Sequence, residues 1–231
     1  MRSSKAIFFK QMKDVMKNRM VLIQFILFPV MAFIMTELVA KSSDEIPNNM
    51  FLTMFAAMFA GMGPLVTTAG AIAEDREKKS LRFLVMAGVK PHEYLMGIGG
   101  FVLLVSSIVS VFFGLIGDFT AAELLKFILI LIFGSLTSIL LGAAIGIFSK
   151  NQQTATAISV PVFMILSMCP LIAQFNETAE KIAGILYTQQ INAVVNDFSV
   201  SAVKPVLIIL ANLIVFVVLF ILAYKKKGLK G

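Results

Sequence analysis

Six apolar stretches, at 20–40, 50–73, 94–117, 124–148, 154–173 and 205–224, constrain this chain more than any other feature. Each approaches the ~20 residues that a helix needs to cross a hydrocarbon core of ~30 Å. Lipid offers no partner for free backbone N–H and C=O groups, so a segment that crosses it must close its hydrogen bonds within itself, as a helix. Hydrophobic residues fill 58% of the 231 positions, above the roughly 45–50% of soluble domains. The expected fold class is an all-α integral membrane protein, with six transmembrane helices in a single domain over 1–231.

The placement of Lys and Arg sets the expected orientation. The leader 1–19 holds six, the loop 74–93 five, the turn 149–153 one and the tail four, whereas the other side holds four: Lys41, Lys181 and Lys204 in 41–49 and 174–204, and Lys126 just past 118–123. Sixteen against four puts both termini and the loop 74–93 on the cytoplasmic side of the plasma membrane, in a multi-pass arrangement. The formal charge of +7 is a poor guide to partners, since where the basic residues lie relative to the lipid bilayer matters more than their sum, and no nucleic acid is implied.

Two connecting segments carry structure of their own. In the leader, Ile7, Phe8, Met12, Val15 and Met16 recur at spacings of three and four with the lysines largely opposite. This is the pattern of an N-terminal interfacial helix over 1–19; a basic, partly ordered leader is the simpler alternative. The leader does not read as a cleavable signal peptide. In 174–204, Asn176 can cap a helix whose first turn holds Glu177 and Glu180. Ile182, Ile185 and Leu186 then form one apolar face, and Ile191, Val194 and Val195 another. The expectation is a short helical re-entrant segment in the outer leaflet, with a folded cap on the bundle as the alternative. Asn176-Glu177-Thr178 also matches a glycosylation acceptor, a pattern common by chance.

Within the spans the chemistry is sparse. Glu37 lies near the end of the first span, and the other polar residues there, such as Gln24, Thr67, Ser159 and Asn212, are uncharged. A proton- or sodium-coupled carrier needs a titrating or ligating group at midplane, so it is disfavoured. A serine protease in the membrane lacks a base. The lone Cys169 and lone His92 offer neither a disulfide nor a metal site. No P-loop occurs, so this chain is not expected to be an enzyme or to bind a cofactor. Gly134, Ser138, Gly142 and Gly146 form a small-residue ridge that favours close helix contact, within this chain before a dimer seam. Pro29, Pro64 and Pro161 favour kinks.

The loop 74–93 is the longest charged interruption between spans, and the run 74–98, EDREKKSLRFLVMAGVKPHEYLMGI, carries a family resemblance. It resembles the first cytoplasmic loop of the type-two exporter permeases of ATP-binding-cassette (ABC) transporters. Glu74, Asp75, Arg76 and Glu77 match that family's acidic-Arg-acidic cluster, and Ser80 and Leu81 its Thr-Leu step. Leu84 and Val89 match the apolar run, and Glu93 and Gly97 the entry to span three; Lys79, Arg82, Gly88 and Ile98 depart from the pattern.

The resemblance implies a permease subunit of an ATP-driven exporter, bacterial in origin. A second permease chain, identical or related, and cytoplasmic ABC ATPase subunits would complete it, with ATP and Mg bound by the ATPase. The loop would form a coupling helix, with Leu81, Phe83, Leu84 and Val85 as anchors in the ATPase and Glu74, Asp75, Arg76, Glu77, Ser80 and Arg82 beside them. In the family, spans one, two and five border the central path, which nominates Phe25, Phe28, Met31, Met58, Met62, Phe163 and Met164. The substrate would be apolar or amphipathic: a drug, a lipid-like molecule or a peptide. The rival readings are a non-transporting receptor or assembly factor using the same loop, and an ion-coupled carrier. On the export reading, Leu84→Asp should leave the permease inserted but release the ATPase; retained binding in a pull-down would place the docking surface elsewhere.

Overall fold

The computed structural model describes residues 2–42, 46–173, 176–198 and 202–227. The helices are α1 (Arg2–Lys17), α2 (Arg19–Leu38), α3 (Met50–Glu77), α4 (Ser80–Met86), α5 (Pro91–Ile116), α6 (Ala121–Phe148), α7 (Gln152–Ala173), α8 (Glu177–Ala183), α9 (Tyr187–Asn196) and α10 (Val203–Lys227), with a 3-10 turn at Ala40–Ser42. No strand occurs among the described residues. Five helices, α2 with its 3-10 turn, α3, α5, α6 and α10, are long and apolar enough to cross a membrane. The fifth expected span falls on α7, a helix of 22 residues carrying Pro161 and Pro170. Parts of the expected 174–204 segment, at 174–175 and 199–201, and of the basic tail, at 228–231, lie outside the described residues, as does the side chain of Cys169.

Most of α3 and α6 is buried, whereas little of α2 and α10 is, so α3 and α6 form the centre of the bundle. The small-residue ridge explains how they meet. A Cβ on Gly142 would lie 2.3 Å from the Leu65 carbonyl oxygen, and one on Gly146 would lie 2.8 Å from that of Ala69. Ser138 donates its hydroxyl hydrogen bond to the Ala60 carbonyl. The ridge is therefore occupied by a neighbour in the same chain, as its intrachain alternative anticipates. Beside this contact, Phe59 gathers Phe25, Phe28 and Phe113 at centroid distances of 5.8, 6.2 and 5.8 Å.

The segment after α7 folds into the bundle by its second helix. Tyr187, Ile191, Val194 and Val195 of α9 are buried, and Ile191 fills the space that a side chain on Gly134 would need. The Tyr187 and Ser138 hydroxyls pair at 2.7 Å. Thr188 donates to the Leu166 carbonyl at 2.7 Å, Thr53 to the Asn196 amide oxygen at 2.8 Å, and Asn212 to the Ile185 carbonyl at 2.9 Å. In α8, Asn176 caps the helix through Thr178 and Ala179, as its position anticipates. Of the expected apolar face, Ile182 and Ile185 point outward, 64% and 70% exposed, while Leu186 packs against the core.

The leader is helical, but its apolar face is largely taken up by protein. Ile7, Gln11 and Val15 are buried, and Gly97 lets α1 sit directly on α5, since a Cβ there would fall 2.6 Å from Ile7. Phe8 meets Phe101 edge-on at 5.5 Å. Met16, expected on the apolar face, is turned outward together with Phe9; at helical spacing these two fall on the side opposite Ile7 and Val15.

The closeness of α3 and α6 is testable. Gly142→Val forces a side chain into the Leu65 backbone, and overpacking of this kind costs about 1–3 kcal/mol. A lowered thermal midpoint in detergent is expected. Gly100→Ala, whose Cβ would meet nothing nearer than Phe8 at 3.8 Å, should leave it unchanged.

Candidate functional site

The acidic-Arg-acidic cluster does not stand in a loop: α3 runs on through Glu77. The break comes at Lys79, whose φ of 58° is left-handed and turns the chain directly into α4. At the far end of α4, Gly88 takes a φ of +80°. Its N–H donates to the Val85 carbonyl and that of Val89 to Leu84, both at 3.0 Å. This pair of hydrogen bonds closes the helix as a Schellman cap, for which glycine carries no Cβ penalty. The helix restarts at Pro91, with the Glu93 carboxylate accepting the Lys90 N–H at 3.2 Å. A short helix is thus held between two tight turns.

Its two faces differ. Leu81 is 2% exposed and sits in a cluster with Ile7, Ile72, Tyr94, Ile98, Phe220 and Tyr224; Leu84, Val85 and Val89 pack against the same cluster. Arg82, Phe83 and Met86 face outward, with Phe83 and Met86 65% and 61% exposed. Of the four residues expected to anchor a partner, then, only Phe83 is fully presented. Leu81 is a core residue of the bundle, and Leu84 and Val85 are half-buried against it.

The charged cluster fastens the end of α3 to its neighbours. Asp75, 2% exposed, accepts from the Lys10 ammonium on one carboxylate oxygen and from the Tyr94 hydroxyl on the other, the latter at 2.9 Å. Arg76 donates to the carbonyls of Ile147 and Ser149, the second at 2.7 Å. Those carbonyls end α6, where the last helical C=O groups lack intrahelical partners. Glu77 accepts the Gln152 N–H at 3.2 Å, at the start of α7. Glu74 accepts from Lys78 at 2.5 Å, which raises the lysine pKa. Asp75 and Arg76 are thereby used inside the chain, and Glu74 and Glu77 are exposed enough to serve a partner as well. Ser80 is half-buried at the first position of α4.

Sequence reasoning missed Lys10, Tyr94, Ser149 and Gln152, which receive these contacts. Nothing in spacing distinguishes Lys10 from the other leader cations, because its partner lies 65 residues away. Met86 was also missed, although it follows Phe83 at i+3 on one face.

The residues nominated for a path are not gathered into one lining. Phe25 and Phe28 are buried on Phe59. Met31, Met58, Met62 and Phe163 are half-buried, and Met164 is 54% exposed on the outer side of α7. Two clefts do open. One, of about 180 Å³, lies between α1, α2, α3 and α7 beside the charged cluster. The other, of about 370 Å³, lies at the opposite end of α3 and is lined by Thr53, Asp118, Glu123 and Asn192 among others. Among the described residues, no cluster of His, Cys, Asp and Glu is suited to a metal ion.

A family model described as "ABC-2 family transporter protein" matches residues 5–225, from α1 into α10. Comparison with curated proteins gave no match.

The Asp75 junction makes a prediction that does not depend on any partner. Tyr94→Phe leaves one oxygen of a buried carboxylate without its donor, a loss of about 1–3 kcal/mol. A lower unfolding midpoint is expected, and combining it with Lys10→Met should be non-additive, because both groups serve one carboxylate.

Proposed function

We propose that this chain, which belongs to the ABC-2 family of transporter proteins, is the permease subunit of an ATP-driven exporter that moves an apolar or amphipathic substrate out of the cytoplasm. It spans the membrane six times, with α7 as the fifth span and both termini inside. It pairs with a second permease chain and with cytoplasmic ATPases that bind ATP and Mg. The sixteen-to-four distribution of Lys and Arg supports this orientation. The exposed apolar length of α2 and α10 leaves surface for lipid and for a second permease chain.

The observation that carries the reading is the division of α4 into two faces. Its inner face is locked to the bundle through Leu81, while its outer face offers Phe83 and Met86 beside Arg82. An aromatic anchor flanked by an arginine is the composition of an interface hot spot. A load on that face is carried by Leu81 into α1, α3, α5 and α10, and through Asp75 and Arg76 into α1, α5 and the end of α6. ATPase closure would thus act on most of the bundle at once. Moving its equilibrium from 1:99 to 99:1 takes about 5.5 kcal/mol of differential binding. Substrate would leave beside α9, whose hydroxyl and amide contacts with α3, α6 and α7 make it a gate that can release.

The test is co-purification with a co-expressed ABC ATPase, sought first in the neighbouring reading frames. Phe83→Asp should weaken ATPase binding at least tenfold, a loss of about 1.4 kcal/mol or more, with no change in the permease's own thermal midpoint. Leu84→Asp would also disturb the inner cluster, so Phe83 separates docking from folding. Unchanged binding in Phe83→Asp, or ATP hydrolysis that never responds to any transported amphiphile, overturns the reading.

A further inference from the structure

We infer that the outward face of α1 is a docking surface for anionic phospholipid, in the leaflet at the basic end of the bundle, the cytoplasmic leaflet in the orientation proposed above. Contacts with three spans fix the level at which α1 lies. The apolar run of α10 ends at Tyr224, followed by the exposed Lys225 and Lys226, and Tyr224 belongs to the same cluster as Ile7. Lys10 holds Asp75 in the last turn of α3. Ile7 sits on Gly97 and Phe8 on Phe101, both near the start of α5. Tyrosine and then lysine at a span end mark the edge of the hydrocarbon. The leader therefore crosses the bundle at that edge.

The sequence pattern assigns the membrane to the face of Ile7 and Val15, but that face is spent on the bundle. The lipid face is a neighbouring one. Phe9 and Met16 point away from the bundle, 55% and 64% exposed. Lys5 and Lys13, both exposed, stand four residues before and after Phe9, on the same row of the helix. Charge on this row is one-sided. The only acid of α1, Asp14, is turned to Lys10 at 3.8 Å and to the cleft that it shares with Glu74 and Asp75. Among the described residues Lys5 and Lys13 form no ion pair. Lys17 and Arg19 open onto a groove that also holds Asp14 and Glu74, so the uncompensated charge is that of Lys5 and Lys13. The exposed apolar side chains continue through Met20 into Ile23, Ile26 and Leu27 of α2, the surface that the first span turns to lipid. Phe9 and Met16 alone would accept any lipid. Two ammonium groups beside them, at the height of the phosphates and with their stems along the apolar surface, select an anionic one. This selectivity goes beyond the export reading and does not rest on it.

The chain contains no tryptophan, so Phe9→Trp supplies a single fluorophore on this face. The full-length variant is placed in nanodiscs of equal parts phosphatidylcholine and phosphatidylglycerol, with one or the other brominated on its acyl chains as a quencher. Brominated phosphatidylglycerol should quench at least twofold more strongly than brominated phosphatidylcholine. Adding Lys5→Gln and Lys13→Gln should bring the two to equality, quenching by phosphatidylcholine rising as that by phosphatidylglycerol falls. Leu104→Trp, exposed in the middle of α5, should show no preference with or without the lysine substitutions, which also reports an intact fold. Equal quenching by both lipids at Phe9→Trp, the same preference at Leu104→Trp, or a preference that survives the loss of both lysines overturns the inference. Quenching by aqueous iodide and by neither lipid also overturns it, and assigns the face to a soluble partner. No ATPase takes part, so each of these failures leaves the export reading standing, and failure of ATPase docking at Phe83 would leave this inference standing.

Discussion

Backbone-to-backbone contact between α3 and α6 is the constraint on which the other elements depend. In lipid, apolar side chains gain little by leaving one apolar surrounding for another, so helix association relies on close van der Waals packing and on hydrogen bonds between helices. Gly142 and Gly146 supply the first, bringing α6 against the carbonyls of Leu65 and Ala69. Ser138 supplies the second, through the Ala60 carbonyl and the Tyr187 hydroxyl. The same ridge then receives Ile191, so α9 owes its buried position to a space that α6 leaves open.

At the other end of α3 the logic changes from shape to charge. Asp75 is held in a buried position only because Lys10 and Tyr94 satisfy both its oxygens. Removing a partner from such a group is costly, so α1, α3 and α5 are tied at one point. Arg76 repeats the device with the free carbonyls at the end of α6. These contacts fix α4 at the point where the bundle meets solvent, with one face spent on packing and one left over.

Much of the fold was legible because long apolar runs and small-residue spacing are local signals. The six segments fall on α2, α3, α5, α6, α7 and α10, and the Asn176 cap, the leader helix and the apolar stretch 191–195 stand where the pattern puts them. The site was less legible. Sequence reasoning grouped Leu81, Phe83, Leu84 and Val85 as one apolar anchor, because seven helical residues give no periodicity long enough to show which side the bundle occupies. It likewise treated Asp75 and Arg76 as surface groups, since acidic and basic residues at a span end ordinarily reach water.

The sequence by itself determined that the chain is helical and built for a membrane. It also marked where charge gathers and which ridge permits close approach, because those properties depend on composition and spacing along one helix. Tertiary structure alone decided which carboxylate is buried and which face of α4 is free. The physical reason is distance along the chain. Lys10 finds Asp75 across 65 residues, and Arg76 finds Ile147 across 71. No local pattern encodes such a pairing; the first exists only once α1 has packed on α3, the second only once α6 has.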